Sequence, residues 1–164
     1  ESLNNISSKK MNYKSLAGGM LLQQEDFFDI PTWSFLSAKP DSNILNDMIF
    51  GEKVAAALKS NAIAIIANGK TVGLGMGQVN RIDSVKQSIE RMLEYKNRTG
   101  VDLSQAILIS DAFFPFADSI EVIADYGIKW ILQPGGSVQD EKVFEMAVKK
   151  NINMVITKRR HFKH

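Results

Sequence analysis

The side chains best suited to chemistry here are Asn61, Arg81, Asp118 and Arg160, with the aromatic stretch Ser110-Asp111-Ala112-Phe113-Phe114-Pro115-Phe116-Ala117-Asp118. An asparagine amide donates and accepts hydrogen bonds at once, so Asn61 can read another carboxamide; its structural alternative is to close a turn. The guanidinium of Arg81 is a planar fork of donors suited to an acceptor-bearing ligand, or equally to a surface ion pair. Asp118 can accept two N–H donors from an aminopyrimidine-like ring, or cap the helix that starts beside it. Arg160 sits among Lys149, Lys150, Lys158, Arg159 and Lys163, a basic end that suits an anion such as a phosphate, or simply a solvated tail. His164 is a candidate base or a tail residue.

Two glycine stretches accompany them. Gly73-x-Gly75-x-Gly77 is loosely like a phosphate loop, but it lacks the Lys-Ser/Thr of a P-loop and the glycine spacing of a dinucleotide fingerprint. Close backbone packing in a strand explains it better. Pro134-Gly135-Gly136-Ser137 lets a backbone approach a ligand, and a tight turn plus helix cap accounts for the same residues. The three phenylalanines of the aromatic stretch each carry about 150–250 Å² of surface that something must cover. Their own core, a partner chain or a flat ligand are the alternatives.

The elements that must position these residues follow from periodicity. Residues 1–15 are polar and read as a frayed lead-in, followed by a Gly18-Gly19 break and a short strand at Met20-Leu21-Leu22. Residues 26–37 show no clear period and read as an irregular connection. Ile44, Leu45, Met48, Val54, Ala55 and Leu58 predict a helix over 41–59, weakened at Gly51. Residues 62–66 and 71–76 read as strands joined by the Asn68-Gly69 hairpin turn. Val85, Ile89, Met92, Leu93 and the stem of Lys96 predict a helix over 83–96. Strands at 106–109, 128–132 and 153–156 then alternate with helices at 118–126, closed by Gly127, and from Ser137, with Asp140 in a capping-box position and Val143, Phe144, Ala147 and Val148 as its stripe. That alternation argues for a parallel sheet with helices on its faces, made mixed by the hairpin. The segments 77–82, 110–118, 134–138 and 157–164 leave strand ends, where ligands gather in such folds.

Totals narrow the function classes. The 164 residues fit one domain with a real core. With no cysteine there is no disulfide or thiolate zinc site, and two histidines argue against an imidazole metal site. A net charge of +2 is too small to argue for nucleic acid. No apolar run nears the ~18 residues of a membrane span, and no signal-peptide pattern is visible at the N-terminus, so no membrane and a cytoplasmic location are the default expectations.

Ser-Asp-Ala-Phe-Phe-Pro-Phe-x-Asp at 110–118, Gln133-Pro134-Gly135-Gly136-Ser137, the ending Arg160-His161-Phe162-Lys163-His164 and Gly73-x-Gly75-x-Gly77-Gln78-x-x-Arg81 together carry a resemblance. In one register over 16–164, the chain resembles the C-terminal half of the AICAR transformylase domain in the family that also carries IMP cyclohydrolase. The resemblance implies a cytidine-deaminase-like three-layer α/β fold without zinc, with a mixed sheet and helices on both faces. It implies formyl transfer from 10-formyltetrahydrofolate, a co-substrate, to AICAR in purine biosynthesis. By motif position, AICAR would be held by Asn61, Arg81, the Phe113 backbone and Arg160. Folate would be held by Ile82, Asp118, Ser137 and Val138, with Pro115 and Phe116 walling the pterin. Ala117 departs from a basic residue frequent in the family. The family's Lys-His pair, its stabiliser and proton acceptor, lies upstream of the matched region, and the cyclohydrolase domain further upstream. The implied partners are the upstream half of the same enzyme and a second subunit in a homodimer, with this chain inactive alone. Other readings of the same residues are a non-catalytic nucleotide- or folate-binding module, and a dimerisation module built on Phe113, Phe114 and Phe116.

Overall fold

The structure, a computed structural model, describes residues 11–26 and 33–163, which fall into two compact units divided between Ile30 and Pro31. In the first, β1 (Met11–Leu16) pairs antiparallel with β2 (Gly19–Gln24), Met11 opposite Gln24 and Leu16 opposite Gly19. Residues 11–15, expected as part of a frayed lead-in, are therefore a strand. Met11 and Tyr13 alternating with Asn12 and Lys14 is a strand period that the surrounding polar composition obscures.

The second unit is built on a six-stranded sheet in the order β3-β8-β7-β6-β4-β5. Its strands are β3 (Ser34–Phe35), β4 (Ile63–Ala67), β5 (Lys70–Gly75), β6 (Ile107–Ser110), β7 (Trp130–Gln133) and β8 (Asn153–Ile156). β6, β7 and β8 run parallel, whereas β4 runs antiparallel to both β5 and β6. The mixed sheet expected from the hairpin is present, with Asn68 (φ 53°) and Gly69 (φ 70°) both left-handed at the turn. β3 was not anticipated. Two residues are too short to show a period, and Ser34–Phe35 is held instead by antiparallel pairing with Val155–Ile156.

Helices cover both faces. On one, α1 (Ser42–Ala57) sets Ile44, Met48 and Ala55 against Ala64, Ile66, Ile107, Ile109, Leu132 and Val155. On the other, α2 (Arg81–Thr99), α3 (Asp118–Asp125) and α4 (Asp140–Lys149) pack Val85, Ile89, Ile120, Ile123 and Val143 onto Ile63, Ile65, Leu108, Ile131 and Met154. Ile63 and Ile65 thus face one layer and Ala64 and Ile66 the other, as a strand buried on both sides requires. Leu93 (37% exposed) and Val148 (66%) lie outside the stripes expected for them. In α2 Ser84 and Ser88 are buried beside Val85, Ile89 and Met92, because the helix backbone lies directly on β5. A Cβ on Gly75 would stand 1.9 Å from the Ser84 carbonyl oxygen, and one on Gly73 2.2 Å from that of Ser88. The glycine run is a packing device. Gly51 serves likewise in α1, where a Cβ would fall 2.5 Å from Ile109 Cδ1.

Candidate functional site

Ile63 at the start of β4 lies opposite Gly75 at the end of β5 and Ser110 at the end of β6. β7 and β8 run parallel to β6 and finish at Gln133 and Ile156 on the same side. Residues 60–62, 76–82, 111–118, 134–138 and 157–163 therefore share one end of the sheet. All ten residues singled out as ligand-binding lie on these segments.

α2 starts two residues earlier than its apolar period suggests, because Asn80 caps it: the Asp83 N–H donates to Asn80 Oδ1 at 2.9 Å. Arg81 is therefore the first helical residue, and it is buried (6% exposed), not a surface ion-pair former. Its Nη1 donates to Asp111 Oδ1 at 2.5 Å, Ser110 Oγ at 2.8 Å and the Ala62 carbonyl at 3.4 Å. Its Nη2 donates to Asn61 Oδ1 at 3.0 Å, and Asn61 Nδ2 donates to the Gln78 carbonyl at 3.0 Å. Asn61 and Arg81 thus form one hydrogen-bonded set, completed by Ser60 Oγ donating to Asp111 Oδ2 at 2.6 Å.

The aromatic stretch divides its three rings among different surroundings. Phe114 is fully buried in the core shared with α3 and α4, its N–H donating to Gln133 Oε1 at 3.2 Å. It is a plug, which removes it from any dimerisation surface. Phe113 is half-buried beneath Arg160, whose guanidinium carbon lies 4.5 Å from the ring centroid. Phe116 is 62% exposed, beside half-buried Pro115. Asp118 is not the helix cap: Ala117 occupies that position, and the exposed Asp118 carboxylate accepts from its neighbour, the Ser119 N–H, at 2.7 Å.

Arg160 also donates from Nη2 to the Gly136 carbonyl at 3.1 Å, joining the phenylalanine loop to the glycine turn. α4 begins at Asp140, not Ser137; Asp140 accepts from the Gly136 and Ser137 N–H groups, and Ser137 Oγ accepts from the Gln139 N–H. This is one arm of the expected capping box, displaced upstream into the turn. Val138 beyond it is fully exposed, and Ile82 is half-buried after Arg81. Direct contacts therefore join Asn61 to Arg81 and Phe113 to Arg160, whereas Ile82, Phe116, Asp118 and Val138 share the sheet end without entering that network. A cleft of about 480 Å³ runs beside Arg160, Gly136, Lys158 and Ser34. Two larger ones, about 660 and 630 Å³, flank α2 and are lined by none of the ten residues singled out as ligand-binding.

Sequence reasoning missed Asp111, Glu52 and Gln133. Asp111 is 1% exposed and pairs with Arg81, and its position beside Ser110 in the aromatic stretch was the available signal. Glu52 is buried in α1 with its Oε1 3.4 Å from His161 Nε2, a pair 109 residues apart that no local pattern reveals. His164 lies outside the described residues. Among those described, no three His, Cys, Asp or Glu side chains are grouped as around a metal ion, and no helix is long and apolar enough to cross a membrane.

The model of the family described as AICARFT/IMPCHase bienzyme matches residues 1–91. The bifunctional purine biosynthesis protein PurH of Mycobacterium marinum is 41% identical over 157 residues, covering 92% of this chain and 29% of that protein. PurH of Aquifex aeolicus is 41% identical over 152 residues, with the same coverage of 92% and 29%. PurH of Prochlorococcus marinus is 42% identical over 159 residues, covering 95% and 29%. The chain thus spans less than a third of the length of these relatives. Among solved structures, dCMP deaminase from the cyanophage S-TIM5 in complex with dCMP and dUMP aligns with a TM-score of 0.43 and 12% identity, over 72% of this chain and 98% of that one.

Proposed function

Because the chain belongs to the AICARFT/IMPCHase bienzyme family, we propose that it supplies the substrate-binding half of an AICAR transformylase acting in purine biosynthesis. The chain from 16 onward is read as the C-terminal half of the transformylase domain. The upstream half of the same enzyme, a second subunit and the IMP cyclohydrolase domain of the parent protein complete the assembly, in the cytoplasm. No metal enters this reading.

In the reaction, the AICAR amine attacks the formyl carbon of 10-formyltetrahydrofolate. The new C–N bond forms, the bond from the formyl carbon to the folate N10 breaks, and the proton lost by the amine passes through a base to the departing N10. That amine is conjugated with an electron-poor, carboxamide-bearing imidazole and is a weak nucleophile, so alignment, proton removal and oxyanion support are all needed. Asn61 and Arg81 offer oriented amide and guanidinium groups to the carboxamide. The Phe113 backbone completes that side, and Arg160 neutralises the phosphate. Ile82, Asp118, Ser137 and Val138 bind folate, with Pro115 and Phe116 against the pterin. The exposure of Phe116 and Val138 suits a surface that a flat ligand covers. His161 is buried against Glu52, so the proton acceptor belongs elsewhere in the assembled enzyme.

The observation that carries this reading is Arg160, stacked on Phe113 and bonded to Gly136 one residue before Ser137. It stands where nucleotide and folate would meet. Arg160→Ala in the full-length enzyme removes charge-assisted hydrogen bonds of about 1.5–3 kcal/mol, so the AICAR KM rises roughly 10–100-fold. The folate KM and the melting temperature stay near wild type. Unchanged AICAR affinity refutes the phosphate role.

A further inference from the structure

We propose that Asp111 is a positioning residue that sets the donor face of Arg81 and ties it to the tail carrying Arg160; this rests on the binding roles given above for those two arginines. Four hydrogen bonds converge on Asp111, from three segments of the chain. Oδ1 accepts from Arg81 in α2, and Oδ2 from Ser60 in the turn before β4. Its main-chain N–H donates to the Ala62 carbonyl at 3.2 Å, and its main-chain oxygen accepts the His161 N–H at 2.8 Å. One 1%-exposed residue therefore holds together both sides of the nucleotide site.

A guanidinium has five N–H donors. Asp111, Ser110 and Ala62 occupy both hydrogens of Arg81 Nη1, and Asn61 takes one from Nη2. Among the described residues this leaves Nε–H and one Nη2–H without a protein acceptor. The Asp111 carboxylate also offsets the guanidinium charge in a buried setting. What Arg81 presents is a pair of oriented donors with little net charge, matched to a neutral carbonyl and poorly matched to a free anion. Without the carboxylate the fork is free to rotate, and its cation is uncompensated.

The test is Asp111→Asn in the full-length enzyme, beside Arg81→Ala and the double variant. The expected result is an AICAR KM raised about tenfold, a folate KM changed less than about twofold, and tighter competitive inhibition by inorganic phosphate. Arg81→Ala added to Asp111→Asn should raise the AICAR KM by no more than about twofold, the non-additivity of groups acting as one unit. If Arg81→Ala raises the AICAR KM while Asp111→Asn leaves both it and phosphate inhibition unchanged, the positioning role is overturned and the Arg81 assignment stands. If neither variant moves the AICAR KM, both fall. Equal losses for the two substrates with weakened folding mark Asp111 as merely structural and also overturn the proposal. Should Asp111→Asn not fold, Ser60→Ala removes only the Oδ2 partner; it is expected to raise the AICAR KM about threefold, and an unchanged value overturns the role.

Discussion

Replacing Gly75 with alanine tests whether the glycine run packs a helix or approaches a ligand. The new Cβ would sit 1.9 Å from the main-chain oxygen of Ser84. Ordinary contact lies near 3.4 Å, so α2 must retreat by roughly 1.5 Å. No rotamer change relieves the clash, since the obstructing atom is backbone. Overpacking of this kind costs about 1–3 kcal/mol, and the backbone partner puts Gly75→Ala at the upper end. At about 3 kcal/mol, a unit of this size loses roughly 10 °C in melting temperature. Gly127→Ala is the comparison, with φ 78° and nothing within 4 Å of an added Cβ. It carries backbone strain alone, about 1 kcal/mol. Gly51→Ala meets side-chain rather than backbone atoms, those of Ile109 and Ile66, and should fall between the two. Thermal unfolding followed by near-UV circular dichroism ranks the three. A Gly75→Ala protein that melts no lower than Gly127→Ala refutes the packing account and returns the run to the ligand-binding candidates.

Phe114→Ala empties a fully buried site and should cost about 3–5 kcal/mol, whereas Phe116→Ala, at a largely exposed ring, should stay within about 0.5 kcal/mol by denaturant titration. Equal costs would mean that the loop's rings are not divided between core and surface. Glu52→Ala takes the carboxylate from the buried His161 ring and should cost about 1–3 kcal/mol. Hydrogen exchange should show faster exchange of the His161 amide in that variant; unchanged exchange would mean that Glu52 does not hold the tail.

Most of the sheet was legible because β4, β6 and β7 are buried on both faces and read as short apolar runs, β6 and β7 each ending in one polar residue. Asn68-Gly69 fixed the antiparallel pair through left-handed backbone at both turn residues. The start of α2 was misread because Arg81 and Ser84 are buried yet polar, which breaks an apolar period. Burial there depends on glycines in another strand, a long-range complement that period counting cannot register. The same holds for Arg81 itself. Its sequence neighbours suggest an exposed loop, and only Asp111, thirty residues on, explains how a guanidinium lies in the core. Burial of such a charge demands a partner, so the search for one carboxylate near a strand end would have found it.

The place of β6 in the sheet explains why the stretch after it carries so much. β6 lies between β7, to which it is parallel, and β4, to which it is antiparallel. On one side, its loop meets another strand's carboxyl end, the glycine turn after β7. On the other it meets the start of β4 and the first turn of α2. A strand at such a change of direction borders both kinds of terminus, a position β6 shares with β8, which lies between parallel β7 and antiparallel β3. Asp111 reaches the β4 side through Arg81 and Ser60, and Phe113, two residues later, meets Arg160 on the β8 side. Side chains two apart on an extended segment point the same way, but the turn after Ser110 redirects them, while Phe114 drops into the core and pins the turn. A ligand spanning both sides would thus be held by groups whose spacing is fixed by one buried phenylalanine. Under the proposed function, loosening Phe114 should therefore weaken AICAR and folate binding together, in contrast to the AICAR-selective effects expected at Arg160 and Asp111.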